Sequence, residues 1–200
     1  MPEILATIVK QAPWFAMKSD IIRLWLVCHF GGIYLDTDIY PLRNFDELLV
    51  YDHFLAVHLG GRSVSNAVFG ATPGHYALAH ALSMIVENFR LNGISARRTE
   101  FGPALFNSIE RRKPGYFRKL PKHYFYILNR QESALRFRAK TSKEQAADLK
   151  KLTSRMTDDV EPFAIHTWGI PPSEMPAGFG RSSFAVESRE RIVVQRTRAS

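Results

Sequence analysis

Gly31-Gly32 divides an apolar stretch into two pieces that cannot share one secondary structure. Before the break, Phe15, Ile22, Trp25, Leu26 and Phe30 recur at helical spacing, which predicts a helix from about Trp14 to Phe30. The paired glycines end it, because glycine enters the left-handed cap without steric penalty. After the break only Ile33-Tyr34-Leu35 precede Asp36, so they predict a short buried strand. Pro41 is expected to stop its pairing. The unit delivers Asp36-Thr37-Asp38 at the end of a strand, where residues two apart point the same way.

The rest of the chain alternates in the same manner. Phe54-Val57 and Ala67-Ala71 predict strands, and the run from His75 to Arg90 predicts an amphipathic helix on Leu78, Leu82, Ile85 and Phe89. Pro103 fits the first turn of a helix through Leu105, Phe106 and Ile109. Thr141 with Glu144 suggests a capping box for a charged helix to about Arg155. Phe163-Ala164-Ile165 predicts a late strand ending at His166. Alternating strands and helices give an α/β class. We expect one domain over residues 1–180, with 181–200 a basic, disordered tail.

Charge is unevenly spread along a chain of net charge +8. Met1 to Gly60 carries four basic residues against seven acidic, and Arg90 to Lys151 carries sixteen against five. An acidic front suits a cation, and a basic middle suits an anionic partner such as phosphates or a phospholipid surface. No nucleic-acid module is recognisable, so nucleic acid is not expected. No apolar run is long enough for a membrane span, and the start does not read as a signal peptide. The single cysteine, Cys28, fits a reducing compartment and a packing role.

Two carboxylates as close as Asp36 and Asp38 repel each other unless a cation lies between them, and oxygen ligands select Mg²⁺ or Mn²⁺. A turn, where aspartate is common, is the plainer reading. One helix upstream, Asp20 and Arg23 share a face among Ile21, Ile22 and Leu24. Charges on an otherwise apolar helix are costly to bury and need a reason. Asp20 is a candidate acceptor for sugar hydroxyls, and Arg23 a candidate ligand for a sugar hydroxyl or a phosphate oxygen.

The run Ala16-Met17-Lys18-Ser19-Asp20-Ile21-Ile22-Arg23, followed by Gly31-Gly32-Ile33-Tyr34-Leu35-Asp36-Thr37-Asp38, resembles the glycosyltransferase sugar-binding region containing a DXD motif. That group includes glycosyltransferase family 32, with bacterial capsular and lipopolysaccharide sugar transferases and fungal mannosyltransferases. The clostridial glucosylating toxins share the spacing. Asn66-Ala71 with Pro73-Gly74-His75, Phe101-Gly102-Pro103 and His166-Thr167-Trp168 are similar to later family segments, although Phe101 stands where the family has threonine. The resemblance implies a GT-A-like mixed sheet flanked by helices, a divalent cation (Mn²⁺ or Mg²⁺), a nucleotide-sugar donor and retention of anomeric configuration. By carry-over, Asp36 and Asp38 hold the metal and diphosphate, with Arg23 assisting catalysis. Ser19, Asp20, Arg23 and Asn66 hold the donor sugar. His166 completes the metal shell or touches the diphosphate, and Trp168 packs or forms a stacking wall. Family members usually begin with a strand that seats the nucleotide base. That strand is missing here, so the domain is expected to be truncated at its N-terminus.

The reading is therefore a metal-dependent retaining glycosyltransferase with a glycan, lipid-linked or polysaccharide acceptor, cytoplasmic and in peripheral contact with an anionic membrane. One alternative is a non-catalytic nucleotide-sugar-binding remnant. Another is a haloacid-dehalogenase-like phosphatase using Asp158-Asp159, but Tyr40 stands where its motif wants threonine or valine. A calcium loop is disfavoured, because Pro41 occupies the position that requires glycine.

Overall fold

The computed structural model describes residues 1–58, 61, 63–94, 99–127 and 162–168. The expected helix from Thr141, the pair Asp158-Asp159 and the tail from residue 181 lie outside the described residues. The described part is mixed α/β. Helices α1 (Glu3–Gln11) and α2 (Phe15–Phe30) lead into strands β1 (Gly32–Leu35) and β2 (Ile39–Pro41). Strands β3 (His53–Val57) and β4 (Val64–Ala71) follow, then helices α3 (Tyr76–Asn92) and α4 (Pro103–Arg112) and strands β5 (Lys119–Leu120) and β6 (Ala164–His166).

The main sheet has the order β1-β4-β3-β5, antiparallel except for the β3–β5 pair, and β2 pairs with β6 in a separate ribbon. Central β4 is buried along its whole length, as a strand covered on both faces must be. Its Phe69 joins Leu55 of β3 against the helices, among Ile21, Leu24, Leu78 and Phe106. Val68, Phe54 and Ala56 face a second core built with Phe125, Phe163 and Ile165's neighbour Ala164.

Gly31 caps α2 at φ 72°, with its N–H donating to Val27 O at 2.8 Å. A β-carbon there would also lie 2.7 Å from Pro73 Cδ. The next turn finishes the cap, because Gly74 N–H donates to Cys28 O at 2.6 Å.

Three local expectations are corrected. The buried side of α2 runs through Met17, Ile21, Leu24 and Cys28, whereas Phe15 (89% exposed), Ile22 and Phe30 face outward. The helix is apolar nearly all round, so periodicity alone selects no face. Strand β1 is only half-buried, because it lies at the edge of the sheet. Pro41 does not stop pairing: it sits opposite Ala164, and Leu42 N–H still donates to Phe163 O at 2.9 Å. Alternation from that bond puts the Pro41–Ala164 pair at a non-hydrogen-bonded position, where no N–H is needed.

Candidate donor-sugar and metal site

The expected site residues come from separate elements that meet at one corner of the sheet. Asp36 N–H donates to Ala67 O at 2.8 Å, which ties the end of β1 to the first half of β4 beside Asn66. Ile39 N–H then donates back to Asp36 O at 2.9 Å, so Asp36-Thr37-Asp38 forms a turn rather than an extended strand end. The turn is clamped from the other side by Thr167, whose N–H and Oγ1 both donate to Asp38 O, at 2.8 and 3.0 Å. It is the turn and β6, not strand alternation, that places both carboxylates.

Arg23 is the hub. Its Nη2 lies 3.0 Å from Asp20 Oδ1, and its Nη1 donates to Asp36 Oδ1 at 2.7 Å and to Asn66 O at 3.1 Å. Asn66 Nδ2 donates to the same Asp20 oxygen at 2.7 Å. Asp20, Arg23 and Asn66 are buried, so these are charge-assisted bonds in a low dielectric. The guanidinium also lies 4.8 Å from the centre of the Tyr34 ring. Its Nε is buried without a hydrogen-bond partner. A buried ionic cluster with an orphaned donor is poor economy for stability alone, which points to a role beyond packing.

Tyr34 is the residue that sequence reading missed. Its hydroxyl donates to Asp36 Oδ1 at 2.7 Å. Burial, with the Asp36 bond adding, pushes the phenol up to about 12, against the pull of Arg23. Ser19 works the other way, easing ionisation of this hydroxyl, so Ser19 adjoins the cluster through Tyr34. The signal was present in the spacing, since Tyr34 lies two residues before Asp36 on the same strand face.

Asp36 and Asp38 keep 29% and 25% of their side chains exposed, so a ligand can approach both. Desolvation raises the Asp36 carboxyl above its usual value, with Asp38 adding to the rise and Arg23 and the Tyr34 bond opposing it. Among the described residues, Asp20, Asp36 and Asp38 share this corner with the Arg23 guanidinium, an acidic balance that suits a hard divalent cation. Among the described residues, no group of three His, Cys, Asp or Glu side chains forms a ready-made metal cage. Two carboxylates fit an ion that completes its shell with phosphate oxygens and water, the habit of Mg²⁺.

His166 lies with Nε2 3.7 Å from Asp38 Oδ1. Burial lowers its pKa, against the pull of Asp38 and Asp36. Trp168 N–H donates to Nδ1 at 3.2 Å, so the neutral ring carries its proton on Nε2, facing the acidic corner. That tautomer suits a donor to phosphate better than a metal ligand. Trp168 adopts φ 58°, unusual for a bulky residue, and its ring lies 4.3 Å from that of His166. Tyr126 and His58 complete this aromatic wall.

Residues 2–55 match the family described as glycosyltransferase sugar-binding region containing DXD motif. A Homo sapiens alpha-1,4-N-acetylglucosaminyltransferase is 36% identical over 76 residues, 38% of this chain and 21% of that protein. A Saccharomyces cerevisiae mannosyl phosphorylinositol ceramide synthase is 32% identical over 88 residues, 39% of this chain and 23% of that protein. The matched stretch thus spans less than a quarter of either relative's length. A solved structure, the PaToxG glycosyltransferase, is similar at a TM-score of 0.47 and 18% identity, over 76% of this chain and 48% of that one.

Proposed function

We propose, from the premise that residues 2–55 belong to the glycosyltransferase sugar-binding region containing the DXD motif, that this chain binds a nucleotide-sugar donor and transfers its sugar to a glycan or lipid-linked acceptor. The observation that carries the reading is the bonded cluster Asp20–Arg23–Asp36–Asn66, which joins the two halves of the motif through one guanidinium. Arg23 and Asn66 address the donor sugar. Asp20 belongs to the same cradle, and its Oδ1 fixes both of them. Tyr34 steadies Asp36 through its hydroxyl, and Ser19 adjoins that hydroxyl.

Asp36 and Asp38 would hold a divalent ion, Mn²⁺ or Mg²⁺, which supplies positive charge to the departing diphosphate. The chain's own contribution is electrostatic and geometric. Arg23 presents fixed positive charge at the corner, and His166 Nε2–H faces the side where phosphate oxygens would lie. Among the described residues no side chain stands out as nucleophile. A retaining front-face transfer needs none, since the leaving phosphate oxygen can take the acceptor's proton. A product of inverted anomeric configuration would overturn that mechanism.

The relatives named for mannosyl transfer to inositol phosphoceramide support a lipid-linked acceptor. The basic run from Arg90 to Lys151 supports a cytoplasmic chain touching an anionic membrane. Binding to phosphatidylserine vesicles that weakens as salt rises is the expected result. Binding that is absent or indifferent to salt would remove the membrane from the reading.

The deciding experiment is thermal stabilisation by nucleoside diphosphates, with and without Mn²⁺, on the wild type and Asp38→Ala. Ligand at about 100 times its Kd stabilises the folded state by about 2.7 kcal/mol. A nucleotide that acts only with Mn²⁺, and only on the wild type, supports the site and identifies the base. No response to any nucleotide would sink the donor reading.

A further inference from the structure

The buried cluster has one wall that no side chain supplies. Gly102 stands immediately before α4, and its α-carbon closes over the carboxylate of Asp20. A β-carbon at Gly102 would fall inside contact distance of Asp20 Oδ2, 2.7 Å from its Cγ and 2.8 Å from Nδ2 of Asn66. Attraction between heavy atoms is best at about 3.5–4.0 Å, so any side chain here must displace one or both partners. Neither can yield cheaply. Asp20 Oδ1 already takes bonds from Asn66 Nδ2 and Arg23 Nη2, and all three residues are buried.

We propose that Gly102 is a positioning residue for the donor-sugar cradle. By carrying no side chain it lets Asp20 sit deep enough for one oxygen to hold both Asn66 and Arg23. A residue far along the chain thereby sets the geometry of a motif it does not belong to. The link to the donor sugar rests on the transferase reading above, whereas the seating of Asp20 does not.

The test is a thermal-unfolding cycle of Gly102→Ala, Asp20→Ala and the double variant. If Gly102 acts by making room for the carboxylate, the double variant is no less stable than Asp20→Ala alone. Should Gly102→Ala fail to fold, recovery of folding in the double variant is the supporting result. Losses that simply add, or a double variant that stays unfolded while Asp20→Ala folds, overturn the proposal. The second readout uses UDP-N-acetylglucosamine and GDP-mannose beside UDP and GDP, all with Mn²⁺. In Gly102→Ala the sugar nucleotide that stabilises wild type should bind at least about tenfold more weakly. The matching nucleoside diphosphate should bind as before, because Asp36 and Asp38 stay in place. Equal weakening of both, or of neither, overturns the positioning role. A wild type that answers to no nucleotide defeats the transferase reading instead, and the unfolding cycle still decides whether Gly102 seats Asp20.

Discussion

Arg23 Nη1 and Asp36 Oδ1 lie 2.7 Å apart, joining a helix to a turn across thirteen positions of chain. Arg23→Ala would take one donor from Asp20 and would take the guanidinium from Asp36 while leaving its Tyr34 bond. Removing one partner of a buried ion pair costs about 3–5 kcal/mol, because the other charge stays buried. Arg23→Lys should recover little of it, since an ammonium cannot reach Asp20, Asp36 and Asn66 O from one planar fork. Urea unfolding checks both variants. A lysine variant as stable as wild type would show that the fork geometry is unimportant.

Tyr34 gives a pH signature at the alkaline end. Its phenol is pushed up to about 12 in the folded state, against about 10 when unfolded. The folded state therefore holds the proton more tightly. The associated stability is fully present below pH 10 and is lost as pH rises towards 12. For one such group the slope is about 1.4 kcal/mol per pH unit across that window. Tyr34→Phe should flatten the decline, and at pH 7 should cost about 1 kcal/mol for the lost bond to Asp36. Urea midpoints between pH 7 and 11 measure both effects, and an unaltered alkaline slope would assign it to other groups.

The acid end has a different source. His53 and His75 stack with ring centres 4.2 Å apart, and burial lowers both pKa values. His75 Nδ1 accepts from Ala77 N–H and so caps α3, a role that protonation abolishes. Asp52 favours the charged form of both rings, but burial dominates. A depressed histidine pKa means the unfolded state takes up protons first, so stability falls as pH drops below about 6.5. His75→Asn keeps a good cap without a titrating ring, and should make the melting temperature less sensitive to acid over that range. Equal sensitivity in the variant would clear His75 of the effect.

Much of this was legible in the residues, for reasons that differ by position. The helix–glycine–strand order around Gly31 was readable because backbone chemistry alone dictates it, and Pro103 marked α4 for the same reason. The outward face of α2 was not, because a helix apolar on every side gives periodicity nothing to select, and only the packing of Met17, Ile21 and Leu24 decides. Asp36 and Asp38 were found as a pair, but their turn was not, since the Thr167 clamp on Asp38 comes from more than a hundred residues away. The spacing of Tyr34 from Asp36 was a signal left unused, whereas Gly102 went unassigned because its role lies in three-dimensional contact with Asp20.

The two carboxylates of the turn should respond unequally to substitution. Asp36 accepts from both Arg23 and Tyr34 through one oxygen, so Asp36→Asn weakens a part-buried ion pair and lowers stability. Asp38 is different: His166 Nε2 lies 3.7 Å from its Oδ1, and burial lowers the pKa of that ring. Its charge also pushes the Asp36 carboxyl up, which is a repulsion between the two. Without metal, Asp38→Asn should therefore unfold at the wild-type urea midpoint or slightly above it, the change being within about 1 kcal/mol. With Mn²⁺ and the nucleoside diphosphate that stabilises wild type, the same variant should gain nothing. A cation site shared by both carboxylates predicts this separation of stability from ligand response. If Asp38→Asn is strongly destabilised in the absence of metal, Asp38 is holding the turn rather than waiting for an ion.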